Sequence, residues 1–418
     1  MRQQGELSKV QILINQKRFA EAKKLLNDLM ASNPRDVYFL FLLSEILLHE
    51  EDYDGAEKIV NRAISIAPDT DYLFHLKSRI HLAAEAYQEA EQNADLAIQL
   101  DPNDDDNLAL MAHIKLLRKK FDEALHYADL SLAVDSENLL ALNVRSTALL
   151  KLDRKTESFE TIQGALREDP HNTYTHANLG WGLLENGDHK QALIHFQESL
   201  KKDPDNDYAR SGMLEAIKAS NPFYRMFLKY AFWMSNMDSQ KQWAVIIGFY
   251  FGFKFLNGIA ANNEGLQFIL YPLLTIVAIL AFSTWIIGPV SNLFLRFNKY
   301  GKILLDKEQR ISSNFVGASL LICLAGVVSY YLTGREPFLA LGIFGFAMMV
   351  PLGMMFTPSK YKNGFIYVAL AMAALGLYSV FSAFAQDLIF TSASTIFILA
   401  FVAFQWGANF LMIQRDNR

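Results

Sequence analysis

One period of 34 residues runs through the first half of the chain and is absent from the second. Pro34, Pro68, Pro102, Pro170 and Pro204 share one ladder, with Ser136 on the remaining rung. Twelve residues before each rung stand Ala22, Ala56, Ala90, Ala124, Ser158 and Ala192, and three before four of those stand Phe19, Tyr53, Tyr87 and Phe121. A repeat of this length is one helix pair, too small to bury its own apolar face, so the pairs must stack. In the unit 173–206, Leu179, Gly180, Leu183 and Leu184 recur at helical spacing. Asn186-Gly187-Asp188 ends that helix, and a second presents Ala192, Leu193, Phe196 and Ser199 on one face. Asp203-Pro204 stops it, because proline disfavours helix in the residue before it.

Two columns of small residues complete the pattern: Ser44, Ser78, Ala112, Ser146 and Gly180 in the first helices, and Ala63, Ala97, Ser131, Ala165 and Ser199 in the second. Small side chains at a helix crossing let the backbones approach, where a bulky one would overpack the pair. These columns resemble the tetratricopeptide repeat over about 3–206, six units. The first unit departs from the pattern at Val10 and Leu29, as a terminal cap does, and the fifth carries Lys155 and Ser158 in place of an aromatic residue and Ala, which marks it as the loosest. Residues 207–219 read as the capping helix that such arrays need. The resemblance implies a right-handed superhelix with the first helix of each unit lining its concave face. The implied groove residues are Tyr38, Phe41, Tyr72, His75, Arg79, His113, Asn143, Tyr174 and Trp181, in columns that also include Glu45, Asp106 and Ala109. Relatives that clamp the carboxylate of chaperone tails use Lys and Asn there, and these columns hold no Lys, which disfavours that class of partner. The groove instead offers aromatic anchors with a few polar groups, the mixture enriched at protein-binding hot spots.

Charge divides the chain the same way. Residues 1–221 carry a net charge of −12 and residues 222–418 a net +7. An acidic array argues against nucleic acid, since phosphate neutralisation needs clustered Lys and Arg. Cys323 is the only cysteine and lies in an apolar run, which excludes an intrachain disulfide. The nine histidines all precede residue 196 and form no H-E-x-x-H set. Asp101, Asn103, Asp105 and Asn107 alternate as calcium-loop ligands do, but Asp106 and Ala112 stand where that loop needs Gly and Glu, so the stretch reads as a solvated turn. Lys115, Arg118, Lys119 and Lys120 read as a solvated helix face. No cofactor or metal is expected.

The second half is read as a hinge, 222–242, followed by a membrane domain, 243–418. In the hinge, Arg225, Lys229 and Trp233 suit a helix at the level of lipid headgroups. Apolar segments at about 243–261, 266–288, 314–333, 338–357, 364–384 and 389–412 predict six spans of near 20 residues. Basic residues gather on one side: Arg225, Lys229 and Lys241; Arg296, Lys299, Lys302, Lys307 and Arg310; Lys360 and Lys362; Arg415 and Arg418. Opposite them only Arg335 is basic, so the positive-inside rule predicts cytoplasmic termini, in agreement with a start that lacks a secretory signal. Gly248 and Gly252, and Ala369 and Ala373, permit close helix packing. Lys254 and Asn257 are the candidate polar site within lipid.

Together these readings predict an all-α chain, a tetratricopeptide solenoid (1–221) followed by a six-helix transmembrane bundle. The function they point to is a non-enzymatic scaffold or assembly protein of a bacterial cytoplasmic membrane, recruiting protein partners through the groove while it is held in the lipid bilayer. The alternative is a transporter or channel regulated by the array, with Lys254 facing a polar pathway.

Overall fold

The computed structural model describes residues 2–295, 305–356 and 364–415, and every described element is a helix. Helices come in pairs through the first half: α1 (Arg2–Asn15) and α2 (Phe19–Met30), α3 (Val37–His49) and α4 (Tyr53–Ile66), α5 (Asp71–Ala83) and α6 (Tyr87–Leu100). They continue as α7 (Asp105–Leu117) and α8 (Phe121–Val134), α9 (Leu139–Lys151) and α10 (Lys155–Glu168), α11 (Thr173–Glu185) and α12 (His189–Lys202), and close with α13 (Asp207–Lys218). The predicted ladder lies in the turns. Asp36, Asp104, Asn138 and Asn206, one or two repeats apart, each accept a backbone N–H from the first turn of the helix that follows.

Within each pair the turn carries one left-handed residue: Lys17, Glu51, Glu85, Lys119 and Asp153, with φ between 58° and 61°, and Gly187 at 90°. Only the sixth is a glycine, so the sequence displays this 34-residue ladder at one rung alone. The small column is also more than a space-filler. Ser44 Oγ donates to the carbonyl of Ala56 at 2.8 Å, Ser78 to Ala90 at 2.8 Å and Ser146 to Ser158 at 3.0 Å, each across the crossing of a helix pair. In the fifth unit Ser158 Oγ returns a bond to Ser146 O at 2.8 Å, so a hydroxyl stands in for the missing alanine contact. That unit also borders an open cleft of about 650 Å³ between α8 and α10, lined by Asp129, Arg145, Glu157, Gly164 and Arg167 among others.

The compact units divide between Gly182 and Leu183, upstream of the boundary drawn at 221 from composition. In the second unit the capping helix α13 packs buried Leu214 and half-buried Ile217 against Leu295 and Leu305, so later chain covers this side of it. After it come α14 (Pro222–Ser235), α15 (Ser239–Ala261), α16 (Glu264–Leu295), α17 (Lys307–Thr333), α18 (Pro337–Met354), α19 (Gly364–Gln386) and α20 (Ser392–Arg415).

The six-span expectation is corrected here. Among the described residues four helices are long and apolar enough to cross a membrane: 240–261 within α15, α17, α18 and α19. The segments predicted at 266–288 and 389–412 fall in α16 and α20, which are not among these four. Arg296, Lys299, Lys302, Lys360, Lys362 and Arg418, which entered the charge count, lie outside the described residues.

α18 is the most deeply packed of the four, and the reason is a helix crossing at backbone distance. A Cβ on Gly326 would stand 2.4 Å from the Gly342 nitrogen, and one on Gly345 2.5 Å from the Cys323 nitrogen. Gly248 and Gly252, the pair singled out from sequence, have nothing within 4 Å of the equivalent positions. Ser312 Oγ reaches the terminal carbonyls of α18 at Leu352 (3.1 Å) and Gly353 (3.0 Å), satisfying acceptors that a helix end leaves open.

Two outcomes test this account. Glu85→Gly relieves a left-handed non-glycine residue and should stabilise the array by about 0.5–1 kcal/mol, whereas Gly187→Ala should cost about 1–2 kcal/mol; urea unfolding midpoints read both. Gly326→Val should lower the melting temperature of the second unit sharply, since the atoms nearest that site are backbone, while Gly248→Ala should melt as the wild type does.

Candidate partner-binding wall and hinge residues

The first helices of successive pairs touch one another, α3 with α5, α5 with α7 and α7 with α9, and so make a continuous wall. Contacts at one-repeat spacing stitch it. Arg79 Nη1 meets Glu45 Oε1 at 3.3 Å, and His75 Nδ1 meets Asn107 Oδ1 at 2.8 Å. Asn143 Nδ2 donates to Thr175 Oγ1 at 2.9 Å, and Asn178 Nδ2 donates to Asn143 O at 3.1 Å and to Thr147 Oγ1 at 3.0 Å. Asn143 is therefore buried at 1% exposure and is withdrawn from the groove that the repeat resemblance implies for it. His75 is likewise engaged with the neighbouring helix. Thr175 and Asn178 were missed from sequence, and Asn107 was read there only as part of a solvated turn, although complementary polar residues about one period apart were the available signal.

What stays open on the wall is aromatic at one end. Tyr38 stacks on Phe41 with centroids 6.0 Å apart, and Phe41 meets the edge of Tyr72 at 5.2 Å. Gln11 Nε2 donates to the Tyr38 hydroxyl at 2.6 Å and fixes that ring. Tyr72 is 38% exposed, and Arg79, tied to Glu45, lies two helical turns further along α5. On α11 the wall presents Tyr174, 39% exposed, and half-buried Trp181. His113 is half-buried on α7, and burial lowers its imidazole below the ordinary value. Burial also lowers His75, against the opposing pull of the Asn107 bond.

The calcium-like stretch resolves into turn chemistry. Asp101 Oδ1 accepts the Asn103 N–H at 3.0 Å, and Asp104 caps α7 through the Asn107 N–H at 2.7 Å. Asp71, Asp101 and Asp104 bring carboxylate oxygens within 4.8 Å of one another, and burial, with Asp106 and Asp71 nearby, raises Asp104. Lys115 departs from its solvated reading. It is 7% exposed, held by Glu91 at 2.8 Å and by Glu123.

In the second unit the hinge residues serve different ends. Arg225 Nε donates to Ala219 O at 2.9 Å, capping α13 rather than facing outward. Lys229 and Trp233 are exposed, and Trp233 leans on Tyr230 at 6.1 Å. Lys254 and Asn257 both lie on exposed faces of α15, a helix with few buried residues.

With this geometry in view, two matches bear on the repeats. A tetratricopeptide-repeat family matches residues 13–80 and a second matches 173–206, so both segments are tetratricopeptide repeats. The chain is similar in structure to the pilF product of Pseudomonas aeruginosa, at 14% identity over 50% of this chain and 95% of that one, with a TM-score of 0.41. It is similar to a tetratricopeptide repeat protein from Parabacteroides merdae, at 12% identity over 50% and 81%, TM-score 0.44. A third is a thermophilic repeat protein of Thermus thermophilus, at 16% over 44% and 99%, TM-score 0.41. Comparison with curated proteins gave no match.

The lowered histidines carry a pH consequence. An unfolded imidazole titrates near about 6.5, above the folded His113 and His75, so the unfolded chain takes up the protons first as pH falls. Stability is complete above that value and is lost as pH drops from it toward the folded-state values. Melting temperature should fall between pH 7.5 and 5.5, and His113→Gln should reduce the fall.

Proposed function

We propose that this chain is a non-enzymatic scaffold whose tetratricopeptide wall captures a segment of a protein partner, while its apolar helices anchor it in a membrane. The observation that carries the capture reading is the Tyr38–Phe41–Tyr72 cluster, preorganised by ring contacts and left partly open beside the Arg79–Glu45 pair. Rigid aromatic anchors beside a polar pair are the chemistry of interface hot spots. The net −12 of residues 1–221 favours a partner segment that is cationic as well as apolar. Four helices of spanning length support the anchor. The orientation with array and termini in the cytoplasm draws on the charge bias, and Arg335, the single basic residue opposite, is paired with Asp387 at 3.0 Å. A bacterial cytoplasmic membrane is the setting proposed. Anchoring raises the effective concentration of the wall near membrane partners, so modest affinity suffices.

The transporter or channel alternative needs Lys254 to face a polar pathway, and the residue lies instead on an exposed face of α15. A long lysine stem reaching toward the near headgroups accounts for it there.

A photocrosslinking side chain at position 72 of the full chain, activated in native membranes, should mark the partner. The marked segment, purified and titrated, should then bind Tyr72→Ala with Arg79→Ala about tenfold or more weakly than the wild type. Equal affinities would sink the groove reading.

A further inference from the structure

We propose that α14 is a lipid-surface helix, with Phe223, Met226, Tyr230 and Trp233 entering the headgroup–acyl boundary of the leaflet where α15 begins, and Lys229 at the lipid phosphates. The inference rests on the membrane-anchored reading above; it keeps Lys229 and Trp233 of the residues expected from sequence, removes Arg225, which caps α13, and adds Phe223, Met226 and Tyr230.

The four residues recur at steps of three, four and three, which at 100° per residue puts them on one arc of about 80°. Their exposures are 77%, 57%, 43% and 50%, high for large apolar side chains on one helix face. The opposite face carries the buried Tyr224 and Leu228. That face is bonded into place. Tyr224 Oη donates to Glu215 Oε2 at 2.5 Å, while Lys218 pairs with Glu215 at 2.8 Å and lies 5.6 Å from the Tyr224 ring centre. Arg225 caps α13, and Asn236 Nδ2 donates to Glu185 Oε1 at 2.8 Å. The helix cannot roll to hide its stripe without breaking these bonds.

The other end is fixed to the first apolar helix. Buried Gln242, in the first turn of α15, donates through Nε2 to Met234 O at 3.2 Å and Met237 O at 3.0 Å, the open end of α14. Asp238, which caps α15, follows Ser235 by only three residues. At 1.5 Å per residue the whole of α14 is about 21 Å long, so every stripe residue lies within that length of the point where the apolar helix starts.

Charge selects the occupant. Residues 222–235 hold Arg225 and Lys229 and no acidic residue, and Lys229 is exposed beside the stripe. A second copy packed symmetrically on this face would bring like charges together, whereas lipid phosphates are complementary to them. Tyr and Trp at the edge of an apolar stripe suit the headgroup layer, where an apolar ring body and a polar tip are both satisfied.

The test places single spin labels on the full chain in a Cys323→Ser background, reconstituted in phosphatidylcholine–phosphatidylglycerol vesicles. Labels at Met226→Cys and Tyr230→Cys are compared with Ile12→Cys, exposed on α1, and Leu321→Cys, exposed on α17. Accessibility to oxygen and to a water-soluble nickel chelate reports depth. The proposal requires positions 226 and 230 to lie between the water-like label at 12 and the bilayer-like label at 321. If they match position 12 while 321 remains shielded from nickel, α14 is not at the lipid surface though the anchor stands. If 321 is itself open to nickel, the anchor reading fails and takes this inference with it. Spin–spin broadening at 226 would show a second copy on the stripe and overturn the lipid assignment.

Discussion

The contact between the first helices of neighbouring repeats is the interaction on which the array depends. One helix pair has too little apolar surface to offset the entropy of ordering it, so each unit is stable only when the next covers it. Here that contact combines apolar packing with polar links from repeat to repeat. Ala and Leu residues fill the crossings, while Arg79–Glu45, His75–Asn107 and Asn143–Thr175 bridge from one helix to the next. Buried polar groups that are fully paired fix a register that apolar contact alone leaves adjustable.

The same bonds decide what the wall can offer a partner. A residue that stitches two repeats is unavailable for binding, so Asn143 supports the surface from beneath. Tyr38, Phe41 and Tyr72 are held mainly by ring contacts and keep part of their faces open. In the capture reading proposed above, a preformed cluster of this kind would lose little side-chain freedom on binding, which is where rigid anchors gain affinity.

The second unit works by a different rule. Its apolar helices meet through close backbone approach and hydrogen bonds, the contacts that hold helices together where apolar surroundings supply no hydrophobic drive. Gly326, Gly342 and Gly345 provide the approach, and Ser312 and the Ser379–Ser394 pair (3.1 Å) provide buried polar links. The same unit holds α12 and α13, and α14 is bonded at both ends, through Arg225 to the α13 terminus and through Gln242 to α15. The end of the array and the start of the apolar helices are thus joined by a braced helix.

The 34-residue ladder, the helix pairs, the division of charge and the apolar character of the second half were all legible in the chain, because each is a matter of local spacing and composition. Periodicity places Ala56 or Ser78 at a crossing, but it does not reveal that Ser78 Oγ bonds the Ala90 carbonyl. Left-handed turns at Glu51 and Glu85 were hidden because neither is a glycine. Gly248 and Gly252 fit a spacing motif and remain open, whereas Gly326 and Gly345, in no motif that was read, meet a neighbouring backbone. Arg225 looked like a lipid-facing cation and caps a helix. Local pattern determines which faces are apolar and where helices stop. Which face meets which neighbour depends on residues far apart in the chain, and only the folded arrangement settles it.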